Sequence, residues 1–514
     1  MSEIMRKAEL SLSSEAVKEF VRQGEVPAFP YFAAGQWSLE GDRLEVRSPI
    51  DLGTAAVTAR PSVQTALSIL ERVYSIGRRK IRETPGEERV EIFERTADAL
   101  ERMKEDLVNI LMINAGKTRK AAEGEVAASI ERLRLAKLDV RRIYGDFVPG
   151  DWSADTLETE AIVKKEPLGV VAAILPFNYP LFDAVNKIVY SAIAGNAVIV
   201  KPAEADPLPA LALAKALVDS GFPPEALAVV PMRGRDMGEV LADRRVAAVS
   251  FTGSTETGLQ VIKEAGVKQY VMELGGGDPA IVLSDADVKQ TASKIVTGIT
   301  SYSGQRCDSI KYILAEPEVY DELKEEVTEQ LSKVRVGDPR DEGTDMGPLI
   351  DVRTADEVIE ATKDAVSKGG KVLHGGEKVE ELGPNYIKPT LIEVEASRLP
   401  DLYMYNKEVF ASLAAIVKVN SLDEAIALAN GRRYGLDAAI FGSDVSKIRK
   451  AARLLEVGAV YINDYPKHGI GYYPFGGMKD SGIGREGIGY TIDFVTAYKS
   501  IIYNYKGKGV WDYL

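Results

Sequence analysis

The sequence predicts an α/β fold of two doubly wound parallel sheets with a small β excursion. Two stretches of alternating strand-length and helix-length segments carry this expectation, together with a composition close to that of an average globular chain. Residues 169–175, 197–200, 226–230, 246–251 and 270–274 are short apolar runs, and helix-like segments at 181–194, 207–220, 233–242 and 255–265 lie between them. Strands of this length separated by helices read as βαβ units, which form a parallel sheet with right-handed crossovers. From about Pro279 the alternation resumes, with strands at 281–283 and 310–315, a helix reaching Tyr302 and another at 319–334. This second set is expected to make its own sheet. The chain has 514 residues, 45% of them hydrophobic and 27% charged, enough to bury a large core without disulfides or metals.

The flanking elements follow in chain order. Residues 1–20 mix charges into the apolar positions and lack the apolar core of a signal peptide. Val90, Phe93, Ala97, Leu100, Met103, Leu107, Ile110 and Leu111 recur at spacings of mostly three and four, which predicts one amphipathic helix over 85–117 starting at Thr84-Pro85. A second, charged helix covers about 123–144. Residues 145–160, rich in Gly, Asp, Ser and Thr, read as a linker or an excursion. The closing FVTAYKSIIYNY of 494–505 reads as an exposure-prone apolar strand, paired either in its own sheet or with a partner subunit.

Composition excludes several classes of function. The 64 Lys and Arg against 77 Asp and Glu give a net charge of −13, the wrong sign for neutralising a phosphate backbone, so nucleic acid is not an expected partner. One cysteine, Cys307, and two histidines, His374 and His468, are too few for a thiolate or imidazole metal site. The apolar runs fall far short of the ~20 residues that span a bilayer. A soluble, cytoplasmic protein is expected, and sparse Cys and Gln with abundant Glu, Lys and Arg resemble a heat-adapted composition.

Three short motifs carry chemistry. Phe251-Thr-Gly-Ser-Thr-Glu-Thr-Gly258 follows an apolar strand and opens a helix. Its glycines let backbone N–H groups approach a phosphate at a helix N-terminus, although the spacing is not G-x-G-x-x-G and an ordinary βα turn has the same look. Met272-Glu-Leu-Gly-Gly-Gly277 places an acid, Glu273, at a strand end, where ligand sites of parallel sheets gather; a solvated strand end is the plainer reading. Gly304-Gln-Arg-Cys307 sets the only thiol beside a guanidinium, which is expected to favour thiolate, while a lone Cys is ordinarily a small buried hydrophobe.

Taken together and in chain order, Leu175-Pro-Phe-Asn-Tyr-Pro180, Lys201-Pro-Ala-Glu204, Phe251-Thr-Gly-Ser254, Glu273-Leu-Gly-Gly276, Gly304-Gln-Arg-Cys307, Glu408-Val-Phe410 and Pro474-Phe-Gly-Gly477 resemble the signature series of the aldehyde dehydrogenase superfamily. Asn178-Tyr179 and Gln305-Arg306-Cys307 look most like its non-phosphorylating glyceraldehyde-3-phosphate dehydrogenases. The resemblance implies two Rossmann-like domains, with cofactor on residues 1–144 and 166–274, catalysis on 275–478, and oligomerisation strands at 145–165 and 490–514 that build dimers or dimers of dimers. It implies Cys307 as nucleophile, Glu273 as general base and Asn178 as oxyanion donor. Leu175, Pro176, Phe177, Lys201, Glu204, Gly253, Ser254, Leu274, Glu408 and Phe410 would line the cofactor, NADP or NAD, with dual use expected. Lys187 and Glu486 match a proton-relay pair, a surface salt bridge being the alternative. Tyr179, Arg306, Arg132, Arg134 and His468 would meet the substrate, a small aldehyde such as glyceraldehyde 3-phosphate. A dioxo-acid semialdehyde, or a catalytically silent relative, are the alternatives. Gly277 stands where the family commonly has Lys, Ala411 where Gly-Pro usually follows Glu-x-Phe, and His468 where phosphate-binding relatives have Arg.

Overall fold

The computed structural model describes residues 7–506. Five parallel strands form the centre of an eight-stranded sheet, in the spatial order Leu227–Val229, Ala197–Lys201, Val170–Ile174, Ala248–Thr252 and Gln269–Glu273. In chain order these run third, second, first, fourth and fifth. The winding therefore reverses between Val170–Ile174 and Ala248–Thr252, where a doubly wound sheet opens a ligand crevice at its carboxyl edge. Every residue of Val170–Ile174 and Ala197–Lys201 is buried. Helices on both faces cause this, and it explains why these strands are continuous apolar runs instead of alternating ones. Antiparallel additions close the edges, Tyr31–Ala33 with Trp37–Ser38 on one side and Gly482–Ile483 on the other.

The second alternating set forms a separate seven-stranded sheet, ordered Lys371–His374, Thr390–Glu395, Leu413–Lys418, Ile310–Ala315, Asp278–Val282, Asp437–Phe441 and Ala459–Ile462. All pairs are parallel except the first. One face packs helices Val288–Thr300 and Pro317–Ser332 through Ile295, Ile299, Leu323 and Val327; the other packs Val352–Ser367 through Val358 and Ala361. Residues 274–277 alone separate the end of Gln269–Glu273 from the start of Asp278–Val282. The carboxyl edge of the first sheet thus lies beside the amino edge of the second, and the site sits at that seam.

The helix expected over 85–117 breaks at Met103 (φ −95°, ψ 6°) into Gly86–Arg102 and Lys104–Ala115. Met103 stays buried, so the apolar pattern runs through a kink it does not register. The helix expected at 123–144 is Arg119–Arg134, started by the Thr118 side chain that accepts the Ala121 N–H, and Ala136–Arg142 continues as a 3-10 helix. The segment at 233–242 shrinks to Gly238–Ala242 after a 3-10 turn. The excursion forms a three-stranded antiparallel sheet of Thr496–Asn504, Thr159–Pro167 and Asp146–Pro149. Residues 507–514, expected with the closing strand, lie outside the described residues. Among those described, no helix is long and apolar enough to cross a membrane.

Candidate active site

Cys307 is half-buried in the loop before strand Ile310–Ala315. The three residues that set up the loop are left-handed in succession: Tyr302 (φ 48°), Ser303 (φ 56°) and Gly304 (φ 72°). For the first two this costs on the order of 1 kcal/mol each and persists only where the surroundings over-determine it. They do so here. The Tyr302 hydroxyl donates to the Ala115 carbonyl (2.7 Å), Ser303 Oγ donates to the Gly347 carbonyl (2.9 Å), and Gln305 Oε1 accepts the Ile350 N–H (2.8 Å). A Cβ at Gly304 would sit 2.3 Å from the Ala411 carbonyl carbon, so only glycine fits.

Two strand ends of the first sheet are bonded to this loop. Asn178, after Val170–Ile174, donates from Nδ2 to the Gln305 carbonyl (3.1 Å), and the Gly277 N–H donates to the Cys307 carbonyl (2.9 Å). Glu273 closes strand Gln269–Glu273, and both of its carboxylate oxygens are buried without a hydrogen-bond partner. Gly476 lies against it, since a Cβ there would come within 2.8 Å of Glu273 Oε1. Burial, reinforced by the negative charge of Glu486, holds the Glu273 carboxyl well above the usual range. Lys187 and Glu486 form a buried ion pair in direct contact, so the surface alternative is out. Burial works against the Lys187 charge, but Glu486 and Asp183 outweigh it and raise the ammonium, and Lys187 in turn lowers Glu486 against its own burial. Glu486 also accepts from Tyr190 Oη (3.2 Å) and Asn186 Nδ2 (3.3 Å).

The expected thiolate is corrected. Burial raises the Cys307 thiol well above its ordinary range, and the carboxylates of Asp308, Glu408, Asp278 and Asp437 push the same way. Arg306 does not offset them, because its Nη2 pairs with Asp308 Oδ1 (2.9 Å) and donates to the Pro466 carbonyl (2.6 Å).

Tyr179 and His468 lie at the site, whereas two predicted arginines do not. Tyr179 meets Tyr302 edge-on at 6.4 Å, with the Lys117 ammonium 3.9 Å over its ring. The His468 imidazole is half-buried between Phe182 (5.5 Å) and Phe475 (4.3 Å). Arg132 is fully buried against Asp139 (2.9 Å) and Asn186 (2.9 Å). Arg134, two positions further round the helix, is exposed beside Asp98 and Glu101 (3.6 Å each). Neither guanidinium is placed as a substrate ligand, a correction of the sequence expectation.

The predicted cofactor residues gather along the carboxyl edge of the first sheet. Leu175 donates its N–H to the Lys201 carbonyl (3.0 Å), Pro176 and Phe177 are half-buried, and the Phe177 ring stands edge-on to Phe410 (5.7 Å) across the seam. Glu408 accepts the Gly276 N–H (3.0 Å). Ser254 caps helix Thr255–Ala265 by accepting the Thr257 N–H (3.3 Å), and at Gly258 a Cβ would strike Leu274 at 2.3 Å, so the helix packs directly on Leu274. At Gly253 a Cβ would meet the Phe251 ring at 2.7 Å, which leaves a bare turn at a helix N-terminus. Glu204 pairs with Arg60 (3.0 Å) and accepts the Gly234 N–H (3.1 Å), beside buried Lys201. A bare glycine turn, an electropositive helix end and a Lys/Arg/Glu cluster fit the pyrophosphate and adenosine ribose of a dinucleotide.

A thiol loop on one parallel sheet, facing a dinucleotide crevice on another, defines the class of nicotinamide-dependent oxidoreductases. The aldehyde dehydrogenase family pattern matches residues 37–501, and the chain belongs to that family. It is an aldehyde dehydrogenase that uses NAD(P). It is 33% identical over 481 residues to the 3-sulfolactaldehyde dehydrogenase of Priestia megaterium, covering 93% of this chain and 99% of that one. It is also 33% identical over 479 residues to the mitochondrial succinate-semialdehyde dehydrogenase of Homo sapiens, covering 92% and 88%. The structure of the NADP-dependent glyceraldehyde-3-phosphate dehydrogenase of Bacillus halodurans C-125 complexed with NADP superposes with a TM-score of 0.88 at 33% identity, covering 94% of this chain and all of that one.

Sequence reasoning missed Lys117, Glu125, Asp183 and Arg60. Each is an isolated charged residue, Lys117 in the loop between two helices and the others on helices or a strand, and only its partner across the fold distinguishes it from a solvated surface position.

Proposed function

We propose that the enzyme oxidises glyceraldehyde 3-phosphate directly to 3-phosphoglycerate, with residues 1–144 and 166–274 holding the cofactor and 275–478 carrying the thiol. In this reading Cys307 Sγ attacks the aldehyde carbon while Glu273 takes the thiol proton. The oxyanion is held by Asn178 Nδ2 and the Cys307 N–H, each such donor being worth about 3 kcal/mol. NAD(P)+, when bound, supplies the hydride acceptor. Loss of hydride leaves a thioester on Cys307. Glu273 then takes a proton from water, hydroxide oxygen adds to the carbonyl carbon, and sulfur departs. Lys187 and Glu486, a buried pair whose charges act on Glu273, serve as its proton relay.

The observation that carries the substrate assignment is the buried Arg306 guanidinium, one residue from Cys307, with the Lys117–Glu125 pair behind the Tyr179 ring. An anion on the substrate would be held there by charge-assisted bonds. The named relatives support an anionic substrate, since 3-sulfolactaldehyde, succinate semialdehyde and glyceraldehyde 3-phosphate all carry a negative group. A semialdehyde is the second reading, favoured by the share of Arg306 already taken by Asp308 and Pro466. An absorbance assay for NAD(P)H decides between them: Arg306→Ala should raise KM for glyceraldehyde 3-phosphate far more than for propanal, with no need for inorganic phosphate. Equal losses on both substrates, or a higher kcat/KM on succinate semialdehyde, would overturn the phosphate reading. Absence of NAD(P)H with any aldehyde would leave only a silent relative.

A further inference from the structure

We infer that Arg60 is a specificity-determining residue for the 2′-phosphate of NADP, held ready by Glu204. The inference rests on reading Lys201 and Glu204 as the adenosine-ribose site. Arg60 ends strand Thr54–Arg60, which pairs with Asp42–Arg47 outside the doubly wound sheet. Its side chain reaches the carboxyl edge of that sheet, where Nη2 stands 3.0 Å from Glu204 Oε2. The arginine side chain is 12% exposed and the carboxylate 39%, so the guanidinium forms the wall of the cluster and the acid its movable face. Arg60 Nε is buried without a hydrogen-bond partner, so the guanidinium keeps a spare donor beside Glu204.

The chemistry of the two cofactors separates on this pair. Each carboxylate oxygen has two lone pairs, so Glu204 can stay on Arg60 and on the Gly234 N–H while accepting a ribose hydroxyl of NAD. A 2′-phosphate replaces that hydroxyl with up to two negative charges, and Glu204 then repels it. Lys201 cannot balance this alone, because burial works against its charge. With Arg60 present the three side chains sum to one positive charge, and without it to none. The guanidinium can exchange the carboxylate for the phosphate, a tetrahedral anion that suits its fork of donors. Glu204 swings toward solvent as the phosphate takes its place.

Calorimetric binding of NADP+ and NAD+ to the full chain tests this without any turnover. Arg60→Met should weaken NADP+ about tenfold or more, the usual scale of a charge-assisted hydrogen bond, and NAD+ less than twofold. Arg60→Lys keeps the charge but not the fork and should fall between; if Arg60→Met does not fold, this variant carries the test alone. Parallel losses for both cofactors, or an unchanged ratio, would overturn the inference. If Glu204→Gln shifts the ratio while Arg60→Met does not, Arg60 is excluded and the ribose reading stands. If neither Glu204→Gln nor Lys201→Met alters either affinity, the ribose reading falls and Arg60 with it.

Discussion

A thiol whose pKa is raised by burial and by neighbouring acidic groups is a poor nucleophile at rest, and this shapes what Cys307 can do without a bound substrate. Because burial and Asp308, Glu408, Asp278 and Asp437 all raise its pKa, the thiolate fraction is small at neutral pH and grows with pH beyond the ordinary thiol range. Alkylation of the free enzyme by iodoacetamide should therefore climb about tenfold per pH unit through neutrality without levelling off, and Cys307→Ser should abolish both labelling and turnover. A plateau of labelling below pH 8 would show a stabilised thiolate instead. Glu273 has the complementary role. With a raised pKa its carboxylate is a stronger base than an ordinary one, and Glu273→Gln should leave acylation partly intact but slow hydrolysis, giving a burst of one NAD(P)H per site. A linear progress curve would assign the base elsewhere. The identity of these residues was legible in the sequence, because thiol, acid and amide each stand in a short local motif. Their ionisation was not. Asp308 is visible next to Arg306, but Asp278 and Asp437 come from separate strands that only the second sheet brings together.

At the scale of elements, helix Pro180–Ile193 shows what local pattern leaves out. It begins beside Asn178 and carries Asp183 and Lys187, so its placement sets the Asn178 amide and the ion pair behind Glu273. Its N-cap, Tyr179, supplies no side-chain hydrogen bond. The exposed donors are taken instead by Glu125 Oε1, which accepts the N–H groups of Leu181 (2.9 Å) and Phe182 (3.1 Å), while Oε2 pairs with buried Lys117 (2.6 Å). Removing the carboxylate would strand a buried ammonium and two helix-end N–H groups, a cost of about 3 kcal/mol or more. Glu125→Ala should lower the denaturant midpoint strongly, and Glu125→Gln, which keeps an acceptor for the helix end, should cost less. A Glu125→Ala midpoint equal to wild type would remove this capping role. Strands and helices of the two sheets were legible because buried parallel strands are continuous apolar runs with turns between them. The break at Met103 and a cap supplied from 56 residues away leave no periodic trace.

For the whole molecule, the three-stranded excursion sheet is the feature that one chain does not complete. Its outer strand Thr496–Asn504 runs nine residues with only Thr496 buried, and among the described residues its outer edge pairs with no further strand, an edge of the kind that seeks another chain. Strand side chains alternate between faces, and the register assigns Tyr498, Ile502 and Val148 to one face and Tyr503, Ile162 and Phe147 to the other. These six are 43–66% exposed. The two faces therefore carry exposed apolar side chains among charged ones such as Lys164 and Lys499, and a single contact could cover only one of them. We expect the enzyme to use one face or edge for a dimer and the remainder for a dimer of dimers, a closed symmetric assembly. Sedimentation at micromolar concentration should give a tetrameric mass, with Ile502→Lys and Tyr503→Lys each stopping assembly at a smaller species while retaining the fold, since substitutions at exposed sites change chain stability by about 0.5 kcal/mol or less. A monomeric wild-type mass would refute this assembly. Tetramers that survive both substitutions would place the interface on another surface.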